Sequence, residues 1–275
     1  MRAWIWVALC LTALPLAASP RVITTSPSLS EIMLDLGAGD DVVGILDAGL
    51  RPEALAGVPS VGRMGKIELE TLLVLQPDLI LLLSDSLPAG MPSQLQQFGL
   101  QTYVVNPSTL DQLAEHFIAL GQRIGRAEQG QNVADEFRQG VAKLREQYRT
   151  DKPLRVFYQV WNKPLYTLGG RQILTDALSV CGAENIFADL PQPAPQVNFE
   201  AVLARQPEVI LASQGSELTP WLQWESIPAV RDGRLVTVPD PGVERPSFQM
   251  LAALDQLCQA LHGTSARNGL TIEEP

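Results

Sequence analysis

Short apolar runs alternate with stretches of helical periodicity along the chain. The runs are RVITTS from residue 21, VVGIL from 42, DLILLL from 78, TYVV from 102, RVFYQV from 155, EVILAS from 208 and RLVTVP from 234. Each has the length and the aliphatic or β-branched content of a strand. Between them, SLSEIMLDLGA, ELETLLVLQ and TLDQLAEHFIALGQRIG repeat their apolar residues at helical spacing. The order βαβα predicts an α/β protein with mainly parallel sheets covered by helices. DLILLL is apolar at every second and every first position alike, which suits a strand buried on both faces.

One unit occurs twice. LETLLVLQPDLILL (69–82) and FEAVLARQPEVILA (199–212) align without a gap, and six of the twelve positions from the Glu onward are identical. Glu70 and Glu200 fall in the first turn of a helix, where a carboxylate is favoured by the helix dipole. The following Gln-Pro ends that helix, because a residue before proline is pushed out of the α region. Pro77-Asp78 and Pro207-Glu208 then lead into a buried strand. A weaker echo pairs LDLGAGDDVVG from Leu34 with LSVCGAENIFA from Leu178, each a helix that stops at a glycine. The chain therefore reads as two similar α/β lobes.

Between the lobes lies RAEQGQNVADEFRQGVAKLREQYRT, residues 126–150, with Val133, Phe137, Val141 and Leu144 at helical spacing and no proline before Pro153. About 22 helical residues would span on the order of 33 Å as a stiff rod. The expected division is a leader at 1–19, an N-terminal lobe at 20–124, a linking helix at 125–150, a C-terminal lobe at 151–265 and a tail at 266–275.

Composition narrows the partners. A formal charge of −10 and an isoelectric point near 4.7 argue against nucleic acid, whose phosphates need clustered Lys and Arg. A small molecule or a protein is the expected partner. The first residues, MRAWIWVALCLTALPLAASP, have one positive charge, a short apolar run and small residues after it, the layout of a secretory signal peptide; a membrane anchor is the other reading. Export to an oxidising compartment would leave Cys181 and Cys258, which are expected to pair.

These features, with SPRVITTSPSLSEIMLDLGAGDDVVGI, LETLLVLQPDLI, RVFYQV, VCGAENIF, VLARQPEVI and ERPS followed by LDQLCQAL, resemble the periplasmic substrate-binding proteins of importers for cobalamin, haem and iron-siderophores. The match runs over most of residues 19–262 and is nearest to the cobalamin-binding members. The resemblance implies an extracytoplasmic, monomeric binding protein of an ABC importer, located in the periplasm. It implies capture of cobalamin or a related corrinoid in an inter-lobe cleft, with haem or a ferric siderophore as the alternative, and delivery to the permease in the inner membrane. It also implies that Glu70 and Glu200 dock on that permease, that Cys181 and Cys258 form a disulfide, and that the lobes close little because a continuous helix joins them.

On this reading the ligand lies at loops following the strand ends, against Asp47, Arg63, Met64 and Ser84 from the first lobe and Trp161, Tyr166, Glu244 and Arg245 from the second. Trp161 and Tyr166 offer flat faces to a conjugated ring. The chain departs from the cobalamin-binding members at Ala48, Met64, Leu83 and Ala194, which stand where those members carry aromatics.

No catalytic cofactor and no protein-held metal are expected. The chain has only two histidines, His116 inside an amphipathic helix and His262 near its end, too few for a zinc or manganese site. Tyr158 or Tyr166 could instead ligate a haem iron. No nucleophile elbow or phosphate loop appears; LGGR (168–171) and GRMG (62–65) are short glycine turns. An extracytoplasmic hydrolase is the remaining reading from another class.

Overall fold

A computed structural model describes residues 19–49, 51–84 and 90–263. All of the expected leader but Ser19 lies outside the described residues, as does the expected tail. The first half contains β1 (Val22–Thr24), α1 (Pro27–Asp35), β2 (Val42–Asp47), β3 (Ser60–Arg63), β4 (Lys66–Ile67), α2 (Leu69–Val74), β5 (Leu79–Leu83), α3 (Met91–Gln97), β6 (Thr102–Val105) and α4 (Leu110–Arg123). Then come α5 (Ala127–Gln147) and a second half of β7 (Leu154–Asn162), β8 (Leu165–Thr167), α6 (Ile173–Val180), β9 (Ala183–Asn185), α7 (Phe199–Arg205), β10 (Val209–Ala212), α8 (Pro228–Arg231), β11 (Leu235–Thr237) and α9 (Met250–His262).

The first sheet has the order β4-β3-β2-β1-β5-β6 and is parallel apart from the β3–β4 hairpin. The second runs β11-β10-β7-β8, with β9 pairing the start of β7 in parallel and β8 its end in antiparallel fashion. The expected α/β architecture with two mainly parallel sheets is therefore present, and α5 supplies the long helix. Its 21 residues correspond to about 31 Å of rise.

Side-chain alternation decides how the layers stack. Ile23, Ile80 and Leu82 join Val61, Leu72 and Leu95 on one face of the first sheet. Phe157 and Ile210 join Phe187, Val202 and Trp221 on one face of the second. The intervening residues, Val22 and Leu81 from the first sheet and Val156, Tyr158 and Leu211 from the second, enter one continuous cluster with α1, α4, α5, α6 and α9. Cys181 at the end of α6 is bonded to Cys258 in α9, so the expected disulfide pins two helices of this shared layer.

The repeated unit is anchored identically in both halves. Arg21 donates from its guanidinium to the Leu75 carbonyl at the end of α2 (2.8 Å), and its backbone N–H donates to Asp78 (2.8 Å). Arg155 does the same for the Arg205 carbonyl (2.7 Å) and Glu208 (3.0 Å). The acidic residue after Gln-Pro thus fixes the strand that follows against its neighbour, and the arginine satisfies helix-terminal carbonyls. The helix stop is as expected, but its conformation differs: Gln76 and Gln206 sit at φ 45° and 47°, left-handed rather than extended. Their N–H groups return to the carbonyls of Leu73 and Leu203 (3.1 and 3.3 Å), closing a tight turn that an extended residue would not make. The echo at Gly37 and Gly182 is likewise a pair of left-handed turns, at φ 65° and 64°.

Packing of α4 on α5 needs two glycines. A Cβ on Gly130 would lie 2.6 Å from the Phe117 carbonyl oxygen, and one on Gly121 would lie 2.7 Å from that of Arg126. Gly130→Ala should therefore lower unfolding free energy by about 1–3 kcal/mol through overpacking, against the gain of roughly 1 kcal/mol that the same change gives in an uncrowded helix. Urea unfolding decides the sign; a stabilised variant would remove the close approach as the reason for glycine there.

Candidate functional site

The carboxyl ends of parallel strands present loops and unpaired backbone groups, and the expected residues of the first half lie there, whereas Tyr166 sits within the antiparallel strand β8 and Glu244 and Arg245 in the turn between β11 and α9. Asp47 ends β2, Arg63 ends β3, Met64 follows it, and Ser84 follows β5. Asp47 and Arg63 are cross-strand partners, yet the Asp47 carboxylate is paired with Arg51. Arg63 is exposed and has no ion-pair partner among the described residues. Met64 is 66% exposed, and Ser84 is half-buried.

In the second half, Trp161 near the end of β7 stands opposite Tyr166 of β8 in the antiparallel register, so the two rings share one face of the hairpin. The indole N–H is taken by the Lys163 carbonyl (3.1 Å); Trp161 is 53% exposed, while Tyr166 is half-buried. Glu244 closes the turn after β11. Its Oε1 accepts from the Tyr158 hydroxyl (2.6 Å) and the Ser213 hydroxyl (2.5 Å). Its Oε2 has no hydrogen-bond partner among the described residues. Burial, then the Glu244 charge, push the Tyr158 hydroxyl well above its ordinary pKa. Tyr158 is fully buried and held in this bond, so the expectation that it could ligate an iron is corrected.

Arg245 turns away from its own half. It donates to Glu31 of α1 (3.1 Å), which also accepts from Ser247 (2.5 Å). These bonds join the middle of α1 in the first half to the segment that leads into α9 in the second. Asp35, one turn further along α1, faces the backbone N–H of Phe248 (3.4 Å) and the amide of Gln249 (3.5 Å). Burial raises its pKa to about 6, the Phe248 N–H opposes that rise, Glu31 adds to it, and Gln249 opposes it.

Ser213, Glu31 and Ser247 were not singled out from sequence, and Tyr158 was considered only as an iron ligand. A serine directly after a buried strand, as in VILAS, is a usable signal for the first; Glu31 looked like an ordinary polar position of an amphipathic helix. The histidines are occupied by structure. His116 lies 2.7 Å from the Tyr103 hydroxyl and accepts from Asn106 N–H (3.3 Å), with its pKa lowered by burial. His262 donates to the Cys181 carbonyl (2.5 Å) and stacks on Tyr148. Gly169 and Gly170 pass directly against the backbone of 188–192, which explains LGGR as a packing turn. Among the described residues no cluster of His, Cys, Asp and Glu is arranged to hold a metal.

Glu70 and Glu200 occupy the second position of α2 and α7. Both are exposed, and neither has an ion-pair partner among the described residues. Phe199 beside Glu200 packs on Trp221 (4.6 Å between ring centroids) and stacks on Trp224, so that carboxylate stands on a rigid aromatic platform. Asn198 caps α7 (2.8 Å to Ala201 N–H), whereas α2 has no side-chain cap.

Two mainly parallel α/β sheets joined by one long helix are the architecture of a two-lobed binding protein. Residues 22–241 match the periplasmic binding protein family, and the chain belongs to it. A vitamin B12-binding protein of Vibrio parahaemolyticus is 31% identical over 260 residues, 93% of this chain and 94% of that relative. The crystal structure of the periplasmic vitamin B12 binding protein BtuF of Vibrio cholerae superposes with a TM-score of 0.79 at 33% identity, covering 88% of this chain and 96% of that one. The periplasmic heme-binding protein HutB of Vibrio cholerae, at 20% identity, TM-score 0.74 and coverage of 88% and 98%, shares the fold. Among the described residues no helix is long and apolar enough to cross a membrane.

Asp35 gives this region a pH signature. A carboxyl whose pKa is higher folded (about 6) than unfolded (about 3.9) favours folding when protonated, so its contribution is complete below pH 4 and is lost as pH rises through 6. Asp35→Asn keeps an acceptor for Phe248 and does not ionise. Its melting temperature should match the parent near pH 4 and exceed it by a few degrees at pH 7; a parallel pair of pH profiles would sink the assignment.

Proposed function

We propose that the protein is the extracytoplasmic binding component of an ABC importer, that it takes cobalamin or a related corrinoid between its lobes, and that it delivers it to an inner-membrane permease. The observation that carries the ligand reading is the exposed Trp161 beside Tyr166 in a chain similar along nearly its whole length to vitamin B12-binding proteins. A planar conjugated macrocycle is complementary to flat aromatic faces. The rim of amide groups around a corrin supplies N–H donors for the open Oε2 of Glu244. The Arg63 guanidinium offers donors to amide carbonyls or to a phosphate from the other side. On this reading residues 20–124 and 151–265 form the two walls, 125–150 forms the joint, and the leader directs a monomer to the periplasm.

Glu70 and Glu200 support the delivery step. They are exposed, unpaired and mounted on corresponding helices of two similar halves, so a permease with two-fold symmetry and paired cations would be engaged at both points at once. Charge pairing of this kind sets orientation and on-rate more than affinity.

The mature protein should bind cyanocobalamin stoichiometrically in calorimetry, without turnover, and Trp161→Ala should raise Kd about tenfold or more, equivalent to at least ~1.4 kcal/mol. Binding of haemin or a ferric siderophore in place of cyanocobalamin and dicyanocobinamide would transfer the cleft to the other ligand class, and product formation would favour a hydrolase. Glu70→Ala with Glu200→Ala should leave Kd unchanged and lower cobalamin uptake by cells at least tenfold. Uptake at the parental rate removes the docking role.

A further inference from the structure

Two contacts between the halves have the same logic in reverse. In one direction, Asp176 in the first turns of α6 accepts from the backbone N–H of Leu110, the first residue of α4, at 2.8 Å. In the other direction, Glu31 of α1 accepts from Arg245 (3.1 Å) and Ser247 (2.5 Å) in the segment that enters α9. The helices correspond: the echo that aligns Leu34 with Leu178 makes α1 and α6 equivalents, and α4 and α9 each end their own half. Each half therefore uses a carboxylate of its first helix to hold the entrance of the other half's last helix. Leu110 N–H is one of the donors that no intrahelical carbonyl can reach, Thr109 having already supplied the cap for Gln112 (3.2 Å). Ser247 is fully buried, so its hydroxyl has no water to replace Glu31.

We infer that Glu31 and Asp176 are positioning residues, a reciprocal pair of inter-lobe clasps that sets the opening of the cleft, Glu31 at the same time fixing the direction of Arg245. Around Glu31 the charged groups are Arg245 and Asp35; around Asp176 they are Asp111 and Arg138, which pair with one another (2.7 Å), and the exposed Arg145 across the same cavity of about 350 Å³. Among the described residues no other side chain makes either contact. Loss of both clasps would leave the shared apolar layer and the longer Asp35 contacts to Phe248 and Gln249 as restraints between the halves, and helices sliding on such a layer give small shear motions.

The test measures lobe spacing without ligand, so it stands apart from what the cleft binds. Spin labels on Gln97→Cys and Gln223→Cys, exposed positions in the two halves, report an inter-lobe distance distribution by pulsed electron resonance in the mature protein. Glu31→Ala with Asp176→Ala should broaden that distribution at least twofold, each single change less. Asp176→Asn, which keeps an acceptor for Leu110 N–H, should restore the parental width in the single-site comparison. Asp111→Ala removes a neighbouring ion pair that does not join α6 to α4 and should leave the width unchanged. A parental width in the folded double variant, or in the two single variants if the double fails to fold, overturns the inference. So does equal broadening by Asp111→Ala.

Discussion

Phe137 stands halfway along α5, fully buried, with the edge of Phe117 on one side (5.6 Å, 84°) and Phe248 on the other (6.2 Å, 56°). Phe117 belongs to the first half of the chain and Phe248 to the second. This three-ring relay is the point at which the two halves stop being separate domains. It lies inside one apolar cluster that takes a face from each sheet and all of α4, α5, α6 and α9, so the relation of sheet to sheet is a matter of core packing. Interiors are close-packed and bistable at best, not continuously deformable, and the site at the strand ends inherits that constraint. Under the proposed function, the width and direction of a cleft between the sheets would be set by this layer.

Outward from that layer, each sheet is finished by a copied device. Arg21 with Asp78, and Arg155 with Glu208, tie the first strand of each half to the strand after Gln-Pro while satisfying the carbonyl end of the helix between them. The helix start is thereby fixed relative to the sheet, and Glu70 and Glu200 are held at matching places. The copies are unequal in support: α7 has Asn198 as its cap and an aromatic bed under Phe199, whereas α2 is a shorter, uncapped helix. Val74 at 81% exposure marks the same difference, since its counterpart by alignment is Ala204. Two similar halves therefore present equivalent charges on surfaces of different stiffness.

Sequence carried the order of elements because strand and helix periods differ and the runs are uninterrupted. It carried the duplication, since the Gln-Pro units align without a gap, and the disulfide, since two cysteines remain after the leader. The left-handed glutamines were not legible: a pre-proline residue has a general preference for extended backbone, and only the closing turn onto Leu73 and Leu203 overrides it. Of the candidate site, the strand-end positions and the aromatic pair could be placed, because both follow from short-range pattern. The bonds of Glu244 and Arg245 could not. Tyr158 lies 86 residues from Glu244, and Glu31 lies 214 from Arg245; contacts at such separations are set by how the halves pack, which no local window contains. Glu31 was hidden by looking like any exposed carboxylate on a helix, and Tyr158 by looking available.

A cleft fixed in this way divides the work of binding and release differently from a hinged one. Under the proposed function, little conformational freedom is lost when a ligand enters between walls already in place, and affinity would rest on the surfaces themselves: the exposed Trp161, the Oε2 of Glu244 and the Arg63 guanidinium. The same rigidity means that release cannot come from spontaneous opening, because separating the sheets would strip apolar area from the shared layer at roughly 25 cal/mol for each Å² exposed. Under the proposed delivery, release would be driven by a partner that pulls on both halves together. Under the proposed docking, the carboxylates on α2 and α7 lie on helices packed against the faces of the sheets remote from that layer, so a partner gripping them would load each sheet as a unit. The resistance it meets would come from the two ends of the joint, where Glu31 holds the entrance of α9 and Asp176 that of α4. Grip on α2 and α7 is then borne by residues apart from the binding surface, whereas Glu31 links restraint to binding, because it holds the entrance of α9 and also directs Arg245.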